Sequence, residues 1–381
     1  MCYYAHMFFV AIKMLLYDKV RSFITLLGVV FAVGLIFAQI GIFMGLMETA
    51  SVIIDHTPGD IWVTSKNSKN FDFSQPFPEY YYYQVQAEKG VRWAEKLIVV
   101  WGIIRQEEGG TEQVEIVGFN PDTLVGAPWD MKEGDPRGVK NGNFAIVDES
   151  AMNRLGNIHP GDYRDIFYRR LQIVGISQGV KSFTTAPIVF MSYNLAQALV
   201  AWIGPDNTVF VVAKAAPGFS ADEIARNLKK RLKGVDVYTS DEFSMKTRRY
   251  WAIETGVGFS FLLTILISFL VGMLIVGQTI YNSTMEHIKE FGTLKALGAS
   301  NFEIYRIILA QALINALTGY ILSLFVTTVS MKLYEMAGMV MVMNVWINLL
   351  VFALTLIMCL SATFVSVRRI KRIDPAILFR G

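Results

Sequence analysis

The sequence predicts a membrane α-helical protein: four transmembrane helices, with a large extracytoplasmic α+β domain inserted between helices 1 and 2. Three observations carry this. Hydrophobic residues make up 53% of the 381 residues and charged residues only 18%, against about a quarter charged in soluble domains. Four uncharged runs each exceed the roughly 20 residues that cross a bilayer. Between the first and second runs lies a stretch rich in Pro, Gly, charge and short β-branched segments, long enough to bury a core of its own.

The composition also excludes whole classes of function. A net charge of +3, with no basic patch interleaved with aromatics, argues against a nucleic-acid partner. Cys2 and Cys359 cannot build a disulfide framework, and His6, His56, His159 and His287 are scattered without metal-ligand spacing. No GxxxxGK[ST] loop is present to cradle ATP, and no nucleophile-elbow signature marks a triad. The expectation is a non-catalytic chain without cofactor or metal.

Taken in order, residues 1–21 read as a cytoplasmic interfacial helix, with Lys13, Lys19 and Arg21 snorkelling to lipid phosphates. Transmembrane helix 1 is placed at 22–47, too long for the apolar region of a cleaved signal. Gly41 and Gly45 form a GxxxG pair there, which is either a close helix contact or the ordinary glycine of a span. Residues 48–253 form the extracytoplasmic (periplasmic) domain. Valine- and isoleucine-rich runs predict strands at 60–65, 97–104, 113–119, 144–148, 171–177, 187–192 and 208–214. Helical patterns fall at 149–156, 194–204 and 220–234, the last with Ser220 and Glu223 spaced as a capping box. Transmembrane helix 2 follows at 254–282, a cytoplasmic loop at 283–302, helix 3 at 303–331, a short periplasmic loop at 332–343, helix 4 at 344–367 and a cytoplasmic tail at 368–381.

Orientation follows from flanking charge. Lys13, Lys19 and Arg21 precede helix 1, Lys289 and Lys295 lie in the 283–302 loop, and Arg368, Arg369, Lys371 and Arg372 follow helix 4. Both termini and that loop are therefore expected inside, the large domain outside. Arg248 and Arg249 belong to a long external domain, where the charge rule is weak. The basic tail also suits anionic headgroups of the bilayer.

The 283–302 loop is the most informative stretch. Met285, Ile288, Phe291, Leu294 and Leu297 recur every three residues, predicting a short amphipathic helix whose apolar stripe fits a partner's groove. Gly298 stands where a left-handed cap would end it, and Ser300 and Asn301 can cap the next helix. Elsewhere, Tyr80, Tyr81, Tyr82 and Tyr83 either grip an amphiphilic substrate or adaptor, or form an edge strand or helix start with half their rings in the core. Gln39, Gln278, Gln311 and Asn315 are the deepest polar residues in the spans. They mark either a transport path or subunit interface, or ordinary interhelical hydrogen bonds.

EFGTLKALGAS resembles the loop between the second and third spans of FtsX/MacB-type ABC transporter permeases, which commonly reads R-E-I-G-x-L-(R/K)-A-(L/I)-G-A. Glu290, Gly292, Leu294, Lys295, Ala296, Leu297, Gly298 and Ala299 match in place, and Phe291 replaces an aliphatic residue. The closing RIDPAILFR resembles the family's terminal pattern through Asp374, Pro375 and Arg380. The resemblance implies that this loop is a coupling helix docking on a separate dimeric ABC ATPase, with Glu290, Phe291, Gly292, Leu294, Lys295, Leu297 and Gly298 at the contact and Glu290, Phe291, Leu294 and Leu297 foremost. It further implies a homodimer in the bacterial inner membrane, working by mechanotransmission. LLYDKVRSFITLLGVVFAVGLIFAQIG, QPFPEYYYYQ and VEIVGFNPD are similar to DevC-type exporters of lipid or glycolipid, which add a periplasmic adaptor and an outer-membrane channel. An FtsX-like regulator of a cell-wall hydrolase and a lipoprotein-releasing permease remain alternatives.

Overall fold

The computed structural model describes residues 13, 17, 19–106, 109–184, 186–296, 298 and 300–370, with the side chains of 21, 153, 294–296, 301 and 365–370 left aside. Most of the expected interfacial helix, Leu297 and the tail from Lys371 onward, with Asp374, Pro375 and Arg380, lie outside the described residues. The chain divides into two compact units, Leu46–Val257 and the remainder.

The Leu46–Val257 unit is built on strands β1 (Ile61–Ser65), β2 (Phe77–Pro78), β3 (Val91–Arg105), β4 (Thr111–Phe119), β5 (Met131–Glu133), β6 (Phe144–Asp148), β7 (Tyr163–Ile166), β8 (Arg169–Ser177), β9 (Ile188–Ser192), β10 (Asn207–Thr208), β11 (Phe210–Ala215) and β12 (Val235–Thr239). All seven strands anticipated from β-branched runs form. Strands β5, β7 and β12 were not signalled, being short or interrupted by charge. The main sheet runs β12-β1-β11-β3-β4-β9-β6-β8-β5, with β7 beside β3 and β8. Pairs β4–β9 and β6–β8 are parallel.

Strand β3 joins two halves of this sheet. Its first part pairs with β11, ending at Phe210↔Leu97, and its second part pairs with β4, starting at Ile98↔Gly118. Alternation of side chains then feeds two cores. Trp62 packs edge-on to Phe71 and Phe210 in the larger one, whereas its neighbours Ile61 and Val63 join Tyr81, Val85, Ile224 and Leu228 in the smaller. Gly118 is required by close approach, because a Cβ there would sit 2.4 Å from that of Ala196 on the Tyr193–Leu199 helix.

Helices form at Tyr80–Gln86, Ala221–Arg231 and Ser240–Arg249. The expected 220–234 helix is real but shorter, and Ser220 makes no side-chain cap, so the anticipated capping box with Glu223 is absent. A true capping box starts Ser240–Arg249, where Thr239 and Glu242 exchange hydrogen bonds. The expected 194–204 helix breaks after Leu199 into a single 3-10 turn at Ala201–Ile203, and the expected 149–156 helix is likewise a 3-10 turn followed by Met152–Leu155.

Among the described residues, the other unit holds four long apolar helices: Lys19–Thr49, Val257–Glu286, Asn301–Met336 and Val345–Ile370. Each is long and apolar enough to cross a membrane. Against the boundaries anticipated at 22–47, 254–282, 303–331 and 344–367, the C-terminal end of each helix runs on, because intrahelical hydrogen bonding continues past the uncharged run. Residues 254–256 instead belong to the turn that closes the external unit. The loop expected at 332–343 shortens, since the third span runs to Met336 and ends at Gly338 with φ +78°.

Small residues let these helices approach. A Cβ on Gly272 would lie 2.3 Å from Met358 Sδ and 2.8 Å from Ala32 Cβ, and one on Gly28 would lie 2.4 Å from Ile275. Gly41 and Gly45 serve otherwise than as a helix-pairing GxxxG. They accept the connection before the last span, with Val342 N–H donating to the Gly41 carbonyl at 3.0 Å and the Val340 carbonyl lying against Gly45.

Candidate functional site

The loop between the second and third spans folds as the sequence suggests, with one shift. The second span runs to Glu286, so Met285 belongs to it, and after His287 a separate short helix covers Ile288–Ala296. His287 N–H donates to the Ser283 carbonyl, and Phe291 N–H to the His287 carbonyl at 3.0 Å. Hydrogen bonding is therefore nearly unbroken from Val257 through the short helix. Gly298 takes φ +99°, the left-handed conformation expected of a helix-ending glycine. Ser300 then caps the third span. Its N–H donates to Glu303 Oε2 at 2.6 Å, and Glu303 N–H donates to Ser300 Oγ at 3.3 Å.

Phe291 is 6% exposed, in the span unit's core cluster with Ile280, Ile304 and Ile308. The phenyl ring thus faces inward, and the outward positions of the short helix are Lys289, Glu290 and Thr293, with Gly292 half-buried. Glu290 Oε2 lies 2.7 Å from His287 Nδ1. Leu294 and Lys295 are placed in the helix backbone.

Tyr80–Tyr83 start a helix, and its period sorts them. Tyr81 is buried in the smaller core and donates its hydroxyl to the Lys233 carbonyl, Tyr82 is half-buried, and Tyr80 and Tyr83 are 50% and 60% exposed. Lys96 Nζ lies 4.8 Å from the Tyr193 ring and 5.6 Å from the Tyr82 ring. Of the polar residues in the spans, Gln311 and Asn315 are buried on one face, Gln39 is half-buried, and Gln278 donates within its own helix to Asn282 at 3.3 Å. Two interhelical bonds come from residues the sequence did not single out: Ser323 Oγ donates to the Val30 carbonyl at 3.0 Å, and Tyr320 to the Asn348 carbonyl at 3.1 Å. Polar side chains one turn apart signal such bonds only weakly, because the partner is a backbone carbonyl of any residue type.

Sequence reasoning also missed a buried acid pair in the external unit. Asp72 and Glu115 are 6% and 2% exposed and line one small cavity with Ser182. Burial pushes Asp72 up to about 6, against the lowering effect of a Trp251 hydrogen bond. Burial, with the Asp72 charge second, pushes Glu115 up to about 8.

The class follows from four spans, an inserted α+β domain and this interspan helix. A model of the MacB-like periplasmic core domain matches residues 22–231, and one of the FtsX-like permease C-terminal region matches residues 259–375. The chain belongs to this family and is an ABC transporter permease of the FtsX/MacB type. An uncharacterized ABC transporter permease of Mycobacterium tuberculosis is 27% identical over 376 residues, covering 98% of this chain and 100% of the relative. One from Mycobacterium bovis is 26% identical over 388 residues, with the same coverage of 98% and 100%. Among solved structures, the periplasmic region of MacB from Actinobacillus actinomycetemcomitans is similar at TM-score 0.39 and 12% identity, covering 50% of this chain and 92% of that one.

Proposed function

We propose that this chain is the non-catalytic permease subunit of an ATP-driven exporter, acting as a homodimer by mechanotransmission with a separate ATPase dimer. The observation that carries it is the near-continuous hydrogen-bonded rod from Val257 to Ala296, clamped at its inner end by Phe291. A helix moves as a unit, so displacement of the Ile288–Ala296 segment is felt along the whole second span. The ATPase meets the outward face through Lys289, Glu290 and Thr293, while Phe291 makes that face rigid. The bilayer is the inner membrane, with both termini cytoplasmic. Tyr80 and Tyr83 supply an external contact for a periplasmic adaptor that leads to an outer-membrane channel. The cargo is a lipid, glycolipid or other amphiphile.

The test is purification of the full chain in mild detergent, with co-purifying proteins identified by mass spectrometry. A protein carrying a GxxxxGK[ST] loop should accompany the native chain and be lost from Glu290→Lys. Absence of such a partner, or full retention by Glu290→Lys, overturns the coupling assignment.

A further inference from the structure

Asp72 is held between two indoles from distant strands and turns. Trp251 Nε1 donates to its Oδ2 at 2.9 Å, and Trp101 Nε1 donates to its backbone carbonyl at 3.1 Å. Asn70 Nδ2 adds a third donor, to Oδ2 at 3.1 Å. Trp101 is the cross-strand neighbour of Glu115, so one β3 residue fixes the spacing of the two acids. Glu115 is anchored by its N–H to the Pro187 carbonyl at 2.9 Å, and Ser182 lines the same cavity as its carboxyl group. Its Oε1 is buried with no partner among the described residues. Beside the pair lies a cavity of about 10 Å³, room for a single water.

Two carboxylates in such a place resist being ionised together near neutral pH, since removing each charge from water costs several kcal/mol and, among the described residues, no basic side chain lines the cavity to offset it. Among the described residues, the two acids are the only titratable ones lining the cavity. Charged groups on the surrounding elements are engaged elsewhere: Asp55 with Arg248, Lys69 with Glu254, Lys96 with Glu79 and Glu112 with Arg154. Lys181, His56, Glu95, Arg105 and Arg249 also stand on those elements, and none lines the cavity. The Asp72 carboxyl group has two donors, from Trp251 and Asn70, and suits the charged form. Glu115, with an orphaned oxygen, suits the neutral acid.

We infer that Asp72, Glu115 and the cavity beside them form a one-proton site in the external unit, and that its occupancy sets how firmly Trp251 is held. With the proton on Glu115, one negative charge remains and the Trp251 N–H satisfies it. Releasing that proton to solvent leaves two carboxylates beside a cavity with room for one water, and their repulsion loosens the hold on Trp251, whose ring stacks on Phe183 at 4.0 Å between centroids. Trp251 lies a few residues before the second span begins, so the site reports on external pH at the segment entering that span. The raised values of both acids accord with this arrangement. The site does not depend on the ATPase assignment, and its failure would leave that assignment intact.

Infrared spectroscopy of the full chain in detergent, titrated from about pH 5.5 to about pH 9, tests this. A protonated-carboxyl band should persist at neutral pH and disappear with a midpoint near 8, far above an ordinary glutamate. Glu115→Gln should abolish that band. Ser182→Ala, a mild change, should move the midpoint upward, because the Ser182 hydroxyl on the cavity wall favours the ionised form. Titration in the ordinary carboxylate range, an unchanged band in Glu115→Gln or an unmoved midpoint in Ser182→Ala overturns the proposal. So does a midpoint that falls as sodium replaces choline at constant ionic strength, which would make the cavity a cation site.

Discussion

Trp251 Nε1 donates a 2.9 Å hydrogen bond to Asp72 Oδ2 across 179 residues of sequence. A charge-assisted bond to a buried carboxylate contributes about 1.5–3 kcal/mol, and leaving the acceptor short of a donor costs more than its mean value suggests. Trp251→Phe keeps a ring against Phe183 and removes only the N–H. Its thermal unfolding midpoint should fall by several degrees, whereas Trp202→Phe, at an exposed site, should leave it unchanged.

The buried acids also fix the sign of a pH dependence. Both have folded values above their ordinary 3.8 and 4.5. Their contribution to stability is therefore fully present below about pH 4 and declines as pH rises through about 6 and about 8. Thermal unfolding of the native chain should occur at lower temperature at about pH 9 than at about pH 6.5, and Glu115→Gln should flatten this difference. An equal slope in both proteins would show that other groups set it.

Phe291 and Glu290 are neighbours with opposite duties. Phe291→Ala empties a buried site and should cost about 3–5 kcal/mol, read as a lower midpoint for detergent-solubilised protein. Glu290→Lys changes an exposed position and should leave the midpoint within about 0.5 kcal/mol of native while abolishing ATPase co-purification. If the two variants behave alike, docking and folding are not separable there.

Gly298 sits at φ +99° with open space around it. Gly298→Ala therefore meets backbone strain and no clash, costing about 1 kcal/mol. ATP turnover stimulated by the assembled complex should fall if the angle between the short helix and the third span matters for coupling; unaltered turnover would assign the glycine to local geometry alone.

The tyrosine run separates by helical period. Tyr81→Phe removes the hydroxyl that bonds the Lys233 carbonyl and should destabilise by about 1 kcal/mol. The double change Tyr80→Ala with Tyr83→Ala should leave folding intact and weaken adaptor binding, measured by co-purification. Retention of the adaptor would remove those rings from the contact.

How much was legible depends on whether a signal is local. The four spans, the seven β-branched strands, Gly298 and Ser300 follow from periodicity, hydropathy and cap chemistry, all readable within one turn or one strand. The span ends were not, since hydrogen bonding carries a helix past its uncharged run, as at Glu286 and Met336. The stripe of Met285, Ile288 and Phe291 was legible as apolar, but a periodic pattern does not say which surface it meets, and here Phe291 meets its own bundle.

The sequence by itself determined four spans, an inserted α+β domain and a helix between spans two and three, and its EFGTLKALGAS stretch carried the resemblance to permeases. Only the tertiary structure decided that Gly41 and Gly45 accept a loop, that Ser323 bonds the Val30 carbonyl, and that Asp72, Glu115 and Trp251 converge. The physical reason is that spans, strands and caps rest on repeating local preferences. A buried polar contact instead depends on which distant backbone the fold brings within about 3 Å.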